Sequence, residues 1–245
     1  MKLMKTISES LVIQIILTIP IYLFYALILG VSLLPSFKII SWSFSAYAVA
    51  GKWFLFSFFT GCSVFVFYLS SVLVMGLSIR VLSLGIKAGK YPEQSFTVLR
   101  WLVYSGIYTM MTRLVLPVVP MSFFSNLFFY LVGCKLGKNV RLNSYTLNDS
   151  FLLTLEDGVV IGGGSDISCH LYEDGHLILQ PIVIKENTVI GAHCYIAPGV
   201  VIGRNSLIGL GCYIRQGKIL PDNTRLTKVG SVSMSVAQRL EKGKL

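Results

Sequence analysis

Aliphatic residues recur at every sixth position through the last third of the chain. The row consists of Ile178, Ile184, Ile190, Ile196, Ile202, Ile208, Ile214, Leu220 and Leu226. Neither a helix, with a period of about 3.6 residues, nor an ordinary strand, with a period of two, produces this spacing. A fixed period of six is typical of a solenoid in which three short strands form one triangular coil. The pattern therefore predicts a parallel β-helix rather than a sandwich of alternating strands.

The same period predicts which residues face the inside of the coils. Residues eighteen positions apart should stack on one face of the coils. One expected stack is Ile178, Ile196 and Ile214, and the other is Ile184, Ile202 and Leu220. Small residues four positions after most of the aliphatic ones should also face inward: Thr188, Cys194, Val200, Ser206 and Cys212. The five cysteines contain no C-x-x-C pair, so core packing in a reducing compartment explains Cys194 and Cys212 better than metal or disulfide bonding.

Glycines directly follow three residues of the row, at Gly191, Gly203 and Gly209. Because each short strand must turn a corner, we expect these glycines to relieve the backbone there. Further upstream the spacing of six slips after Leu142 and again after Ile167. Each slip predicts a loop or an irregular corner between coils.

The motifs around the row resemble those of a known family. Ile190-Gly191-Ala192 is followed by Ile196-Ala197-Pro198-Gly199-Val200-Val201-Ile202-Gly203, which is similar to the signature of the hexapeptide-repeat acyltransferases. These enzymes fold as left-handed parallel β-helices, and the resemblance covers residues 136–232. It implies transfer of an acyl group, usually from acetyl-CoA, to a hydroxyl or amine. It also implies a homotrimer whose active sites lie between neighbouring subunits.

Exposed apolar positions agree with association of the coils. A β-helix of about four coils buries little surface by itself, so apolar residues outside the inward row are candidates for contact with a neighbouring subunit. They are Ile182, Val183, Val201, Leu207 and Ile219. We therefore expect a homotrimer.

Two uncharged runs in the first third of the chain, 11–34 and 54–79, predict membrane helices. Each is long enough to cross about 30 Å of hydrocarbon. The chain is 54% hydrophobic and only 13% charged, which is too apolar for a soluble domain of its size. A net charge of +10 could suggest nucleic acid, but no acidic residue lies between Glu9 and Glu93, which is a membrane pattern. A cleaved signal peptide is the alternative for the first run, and two successive runs favour retained helices.

Positive residues indicate the orientation of this hairpin. Lys2, Lys5, Arg80, Lys87 and Lys90 lie beyond its outer ends, whereas only Lys38 and Lys52 lie in the connection. Because positive residues stay in the cytoplasm, both ends of the hairpin are expected there. Pro117 and Pro120 favour a broken or re-entrant segment over a third span at 114–134, which would put the β-helix on the opposite side. The sequence thus predicts a multi-pass protein of the bacterial inner (cytoplasmic) membrane with a cytoplasmic β-helix.

The predicted chain has four parts, and the first two carry a second, looser resemblance. The parts are a two-helix transmembrane region at 1–95, interfacial or re-entrant helices at 96–135, the β-helix at 136–232 and a tail at 233–245. Gly89-Lys90-Tyr91-Pro92, Leu99-Arg100-Trp101 and Leu131-Val132-Gly133-Cys134-Lys135-Leu136-Gly137 are similar to the membrane-embedded C-terminal region of nonribosomal-peptide-synthetase-like proteins such as ε-poly-lysine synthetase. That region follows adenylation and carrier domains in its own group.

Acyl transfer needs a general base, and the chain has three histidines. His170 lies in the second slip, and the hexapeptide resemblance matches it to the family's catalytic histidine, for which an exposed loop histidine is the alternative. Neutral imidazole suits this role near pH 7. Asp149 aligns with a polar residue before the active coil and could orient the acceptor, although a turn aspartate is an equal alternative. His176 and His193 are expected at the surface.

The resemblance also implies where the donor binds. Acyl-CoA is expected along the coils at Gly191, Gly209, Gly211 and Arg215, held by backbone N–H groups and cations. A basic rim facing acidic lipid is the alternative for the cations. No permanently bound cofactor, metal site or nucleic-acid partner is expected.

The sequence therefore leaves three functions open. The first is an integral-membrane acyltransferase that moves an acyl group, usually acetyl, from acyl-CoA to a hydroxyl or amine of a lipid-linked or small-molecule acceptor. The second is amide formation from an aminoacyl carrier-protein thioester, with a carrier protein as partner. The third is a non-catalytic trimeric scaffold.

Overall fold

The computed structural model describes residues 2–119, 121–227 and 231–233. Residues 228–230 of the predicted β-helix and all but the first residue of the predicted tail at 233–245 lie outside the described residues. The chain begins with two long helices, α1 (Lys2–Ser43) and α2 (Trp53–Ser83), and α1 continues as a π-helix over Phe44–Ala48. The two helices pack along each other as a hairpin.

The hairpin is long and apolar enough to cross a membrane. The two segments that qualify by length and composition are Thr18–Ala48 and Trp53–Ser83, with only 17% and 33% of their most apolar windows buried. Serines join the helices, since Ser36 donates to the carbonyl of Ser63 at 2.7 Å and Ser70 to that of Ser32. Small residues that bond across helices are typical of packing between helices in lipid.

Two further helices connect the hairpin to the β-helix. They are α3 (Phe96–Val115) and α4 (Phe123–Leu131), with a 3₁₀ turn over Leu116–Val118 between them. Ser95 and Ser122 cap α3 and α4 by accepting hydrogen bonds from backbone N–H groups three residues on. Residues 114–134 therefore form the end of α3, the 3₁₀ turn and the nine-residue α4 rather than one helix.

The C-terminal half is a parallel β-helix with an antiparallel insertion. A first strand, β1 (Gly89–Pro92), precedes α3 and pairs with the insertion. The strands of the C-terminal half are β2 (Lys135–Leu136), β3 (Arg141–Leu142), β4 (Leu147–Asn148), β5 (Leu153–Leu155), β6 (Val160–Ile161), β7 (Asp166–Ser168), β8 (His170–Glu173), β9 (His176–Leu179), β10 (Ile182–Ile184), β11 (Val189–Ile190), β12 (Tyr195–Ile196), β13 (Val201–Ile202), β14 (Leu207–Ile208), β15 (Tyr213–Ile214), β16 (Ile219–Leu220), β17 (Arg225–Thr227) and β18 (Ser231–Ser233). A 3₁₀ turn covers Ser150–Leu152.

Three sheets form the faces of the solenoid. Their strand orders are β16-β13-β10-β5-β2, then β18-β17-β14-β11-β6-β3, then β15-β12-β7-β4. All pairs are parallel except that of β17 with β18. The predicted stack of Ile184, Ile202 and Leu220 is confirmed by the strand register, and these side chains are at most 5% exposed. The small residues from Thr188 to Cys212 are also buried, as predicted.

The prediction for Ile178 is wrong. Ile196 pairs with Ile167 on one side and Ile214 on the other, so Ile167 takes the place expected for Ile178. Ile178 instead lies in β9, in an antiparallel sheet of order β1-β9-β8 that projects from the coil. In β9 the alternate residues Leu177 and Leu179 are buried. Their period of two is that of an ordinary strand.

Two other expectations are corrected. Gly191 and Gly203 do not have the positive φ of a tight corner. A Cβ on either would lie 2.8 Å or less from the backbone of the next coil, so these glycines permit close stacking. The corners use residues three positions after the inward aliphatics, with φ of 54–75°: Asn187, His193, Gly199, Asn205, Gly211, Gly217 and Asn223. Ile182, expected at the outer surface, is fully buried beside Leu153.

Candidate active site

Asp149 lies in a strained turn at the end of the first coil. It follows β4 and precedes the 3₁₀ turn, with φ 54° and ψ 45° in the left-handed region. Asp and Asn adopt this conformation more readily than most residues. The side chain is only 2% exposed, so a carboxylate is held inside the protein where it must be hydrogen-bonded.

The structure brings Asp149 and His170 together. Asp149 Oδ2 and His170 Nδ1 are 2.5 Å apart, and the imidazole remains 27% exposed. His170 is the first residue of β8, where the antiparallel insertion leaves the coil. The slip of the repeat after Ile167 therefore positions the histidine.

Trp101 completes the site from the helical region. Its indole Nε1–H donates to Asp149 Oδ1 at 2.8 Å, and its ring lies edge-on to the imidazole with centroids 4.8 Å apart. Both carboxylate oxygens of Asp149 thus accept a hydrogen bond. The sequence reasoning missed this role, although Trp101 belongs to the Leu99-Arg100-Trp101 motif.

Helix α3 packs its aromatic face on the turn that carries Asp149. Trp101, Tyr104 and Tyr108 lie on one side of the helix and are at most 7% exposed. The Tyr108 hydroxyl donates to the carbonyl of Leu147 and lies 2.8 Å from Ser150 Oγ. Burial raises the pKa of Tyr108 well above its ordinary value, and the hydrogen bond from Ser150 lowers it by less. The hydroxyl therefore stays protonated and donates at physiological pH.

These contacts determine the tautomer of His170. Because the Asp149 carboxylate accepts from Nδ1, that nitrogen carries the hydrogen, and Nε2 carries the lone pair that can accept a proton. Ser168 Oγ donates to the carbonyl of His170 at 3.0 Å and holds the backbone of the same residue. The arrangement is that of a histidine base oriented by a buried carboxylate.

Polar and aromatic residues continue from His170 along the outer side of the β4-β7-β12-β15 sheet. Burial raises the pKa of Asp166, while His170 and the amide of Asn148 act to lower it. Tyr195 lies beside Asp166 in the sheet and stacks on Tyr213, with ring centroids 5.3 Å apart. Tyr213 is exposed, so this ladder forms an open surface next to the histidine.

The predicted donor-binding residues need one correction. The N–H groups of Gly191, Gly209 and Gly211 donate to the carbonyls of Ile208, Leu226 and Ala192, at 2.7–2.9 Å. These N–H groups are engaged between coils, so they cannot be the donors that hold acyl-CoA. Arg215 is exposed at the end of β15.

The other two histidines lie elsewhere. The ring Nδ1–H of His176 donates to the carbonyl of Asp174 at 2.8 Å within the β8-β9 turn. His193 is exposed at a left-handed corner, with φ 55°. The structure brings neither of them to the carboxylate of Asp149.

Comparison with known proteins places the β-helix in a class. Residues 181–216 match the family described as bacterial transferase hexapeptide (six repeats), so this segment carries hexapeptide repeats. Among curated proteins, 136 residues are 32% identical to delta-poly-L-ornithine synthetase of Acinetobacter baumannii (strain AB307-0294), covering 54% of this chain and 10% of that protein. The chain thus spans about a tenth of that relative's length. Both resemblances seen in the sequence are confirmed.

Solved structures of acetyltransferases are also similar. Galactoside acetyltransferase in complex with coenzyme A has 18% identity and a TM-score of 0.47, covering 67% of this chain and 93% of that one. A hexapeptide-repeat acetyltransferase of Vibrio cholerae O1 biovar eltor, complexed with acetyl coenzyme A, has 15% identity and a TM-score of 0.36, covering 68% and 86%.

Proposed function

We propose that this protein is a membrane-embedded acyltransferase in which His170 is the general base. The observation that carries the proposal is the hydrogen-bonded series Trp101, Asp149 and His170 at the edge of a hexapeptide-repeat domain. A buried carboxylate that orients a partly exposed imidazole is an arrangement suited to proton abstraction. The reaction moves an acyl group, most simply acetyl, from acyl-CoA to a hydroxyl or amine.

The geometry supports the following steps. His170 Nε2 takes the proton of the acceptor as its oxygen or nitrogen attacks the thioester carbonyl. The carbon–sulfur bond then breaks, the new ester or amide remains on the acceptor, and the imidazolium returns its proton to the coenzyme A thiolate. Asp149 holds the imidazole and stabilises its charged form. Asp149 thus acts through His170 rather than directly on the acceptor.

Acyl-CoA is a cosubstrate in this proposal, and no permanently bound cofactor takes part. The donor would lie along the coils of a left-handed β-helix. Gly211 would leave room for its chain, because a Cβ there meets nothing within 4 Å, whereas Gly191 and Gly209 would contribute the closely stacked backbone on which the chain lies. Arg215 would pair with a phosphate, since a guanidinium matches phosphate oxygens in geometry and charge.

The proposed location is the bacterial inner membrane, with the β-helix in the cytoplasm, where acyl-CoA is available. The hairpin of α1 and α2 supports this through its length, its apolar surface and the positive residues at its outer ends. The segment at 96–135 would lie in the interface or re-enter, because it holds α3 and the short α4. The proposed assembly is a homotrimer.

A second candidate is amide formation from an aminoacyl carrier-protein thioester. The similarity to delta-poly-L-ornithine synthetase favours it, because that name describes a polymer of amino acids. The same base would serve, since an amine attacking a thioester also loses a proton. The two candidates differ in donor, so assays with acetyl-CoA and with an ornithyl or lysyl carrier-protein thioester separate them.

The test of the proposal is a thiol-release assay on the purified protein with each donor. His170→Asn should lower turnover by about 10²–10⁴-fold, the usual contribution of a positioned base. His193→Asn is the matched control, because asparagine is well tolerated at a left-handed corner, and it should retain full activity. Full activity in His170→Asn would refute the assignment, and no release from either donor with the wild type would favour a scaffold.

A further inference from the structure

A groove lies between α1 and α3. α1 contributes Thr18, Ile21 and Tyr22, and α3 contributes one face, from Trp101 to Met110. Its volume is about 420 Å³, which falls within the range of about 300–1,000 Å³ usual for ligand pockets. The lining residues of α3 extend over about three turns, so an extended chain could lie along the helix.

The chemistry of the walls fits a hydrocarbon. Among the described residues that line the groove, none is charged, and its polar groups are the hydroxyls of threonine, serine and tyrosine and the indole N–H. Gly106 lies in the floor, where a Cβ would be 3.6 Å from Ile21. A phosphate or a peptide would find few partners on such walls, whereas methylene groups need no hydrogen-bond partner there.

The groove ends at the catalytic pair. Trp101 lines it, donates to Asp149 and packs edge-on against the His170 ring. Its α1 wall, formed by Thr18, Ile21 and Tyr22, belongs to a segment that is apolar and long enough to cross a membrane. A chain in this groove would therefore lie between that segment and the tryptophan that contacts the catalytic pair.

We infer that this groove receives the hydrocarbon chain of a lipid-linked acceptor and so delivers the acceptor's hydroxyl or amine to His170. The inference rests on the proposed function and names the substrate class. The chain of a lipid already lies in hydrocarbon, so the groove holds it by packing and shape rather than by removing it from water. Acceptors with a long chain are held in the groove, whereas water-soluble ones with the same reactive group are not.

The first test measures occupancy without catalysis. In full-length protein carrying Trp42→Phe and Trp53→Phe, Trp101 is the remaining tryptophan. In bilayers of phosphatidylcholine with brominated acyl chains, its emission should fall by about half or more, because bromine quenches only near van der Waals contact. Gly106→Leu fills the groove and should restore emission. Gly30→Leu is the matched control, because a Cβ there meets nothing within 4 Å, and it should leave quenching unchanged.

The second test measures specificity with acetyl-CoA as donor. The probe acceptors are hexadecylamine and hexadecanol in bilayers, compared with ethylamine and ethanol in buffer. Gly106→Leu should lower kcat/KM for the long-chain probes by about tenfold or more and leave the short ones unchanged, because only the long chains enter the groove. Ser105→Phe fills the same groove and replaces Gly106→Leu if that variant does not fold.

Three outcomes overturn the inference. Emission of Trp101 that does not respond to brominated chains shows that no chain enters. Equal losses of kcat/KM for long and short acceptors in Gly106→Leu show that Gly106 has a structural role. A loss with palmitoyl-CoA but not with hexadecylamine and acetyl-CoA shows that the groove holds the acyl donor. If the wild type transfers no acyl group to any acceptor, the proposed function fails, and the quenching experiment still decides whether the groove binds a chain.

Discussion

Asp149 shows how a single residue joins the two halves of this chain. Its left-handed turn comes from the β-helix, one of its hydrogen bonds comes from α3, and the other comes from the start of the antiparallel insertion. Strained backbone is kept where the surrounding structure determines it, and such positions cluster at functional sites. The carboxylate is buried, and each of its oxygens meets an N–H donor. Asp149 thus fixes the imidazole to the body of the protein.

Asp149→Asn tests this role at the scale of one residue. Asparagine keeps the shape and the left-handed conformation, but its amide can donate to Nδ1 and would favour the tautomer with the hydrogen on Nε2. We expect kcat to fall by about 10²–10⁴-fold with little change in KM for acyl-CoA. Asp174→Asn is the control, because Asp174 is exposed and also left-handed, at φ 49°. Near-normal kcat in Asp149→Asn would remove Asp149 from the mechanism.

The site could be predicted from the sequence only in part. His170 could be predicted because the hexapeptide-repeat resemblance matches it to the family's catalytic histidine, at the slip of the repeat after Ile167. Its hydrogen bond to Asp149 spans 21 residues, so no local pattern encodes it. The bond from Trp101 to Asp149 spans 48 residues and depends on how α3 packs against the β-helix. Tertiary packing of that kind has no periodic signal in the sequence.

The repeating element is a six-residue unit, three of which form one coil, and each unit has three requirements. An aliphatic side chain faces inward, a small residue fills the corner, and a residue three positions after the aliphatic adopts positive φ. The first two requirements are visible in the sequence as the row of isoleucines and leucines and as the small residues four positions after them. The third requirement is equally visible, since asparagine, histidine or glycine stands at every sixth position from 187 to 223. Asparagine and glycine are the residues that tolerate this conformation best.

Asn205 tests the corner rule at the scale of the element. Asn205 has φ 54° and is exposed, and its backbone N–H bonds to Glu186 of the previous coil. Asn205→Ala should lower the free energy of unfolding by about 1–2 kcal/mol, the cost of the left-handed conformation for a residue whose side chain cannot hydrogen-bond to the local backbone. Asn205→Gly should be neutral or slightly stabilising. Thermal unfolding in detergent, followed by circular dichroism, measures both, and equal stability of Ala and Gly variants would contradict the rule.

The insertion at β8 and β9 shows the limit of a periodic argument. Ile178 fits the row of six by coincidence. It lies six positions before Ile184 but belongs to the antiparallel insertion, outside the coil. The buried alternate residues Leu177 and Leu179 have the period of an ordinary strand, but two residues are too few to make that period visible in the sequence. Pairing with β1, which lies some 90 residues earlier in the chain, decides the structure there. A contact that distant cannot be inferred from the spacing of nearby residues.

At the scale of the whole molecule, the β-helix leaves apolar side chains at its surface. Ile219 is 71% exposed and Leu207 38% exposed, on two different sheets, and Leu210 is also exposed. Exposed apolar surface on a β-helix indicates contact with another subunit. A closed ring of three copies would cover such positions on every copy at once, because each interface repeats around the axis. The positions are consistent with the homotrimer that we propose.

Ile219→Lys tests the homotrimer. A lysine at an apolar interface cannot be buried without a partner, so we expect the complex to dissociate into monomers. Native mass spectrometry in detergent, at protein concentrations well above micromolar, measures the mass. Gln94→Lys introduces the same side chain at an exposed position outside the β-helix and should remain a trimer. A wild type that is monomeric or dimeric under these conditions would exclude the proposed assembly, and a trimer in Ile219→Lys would place the interface on another face of the coil.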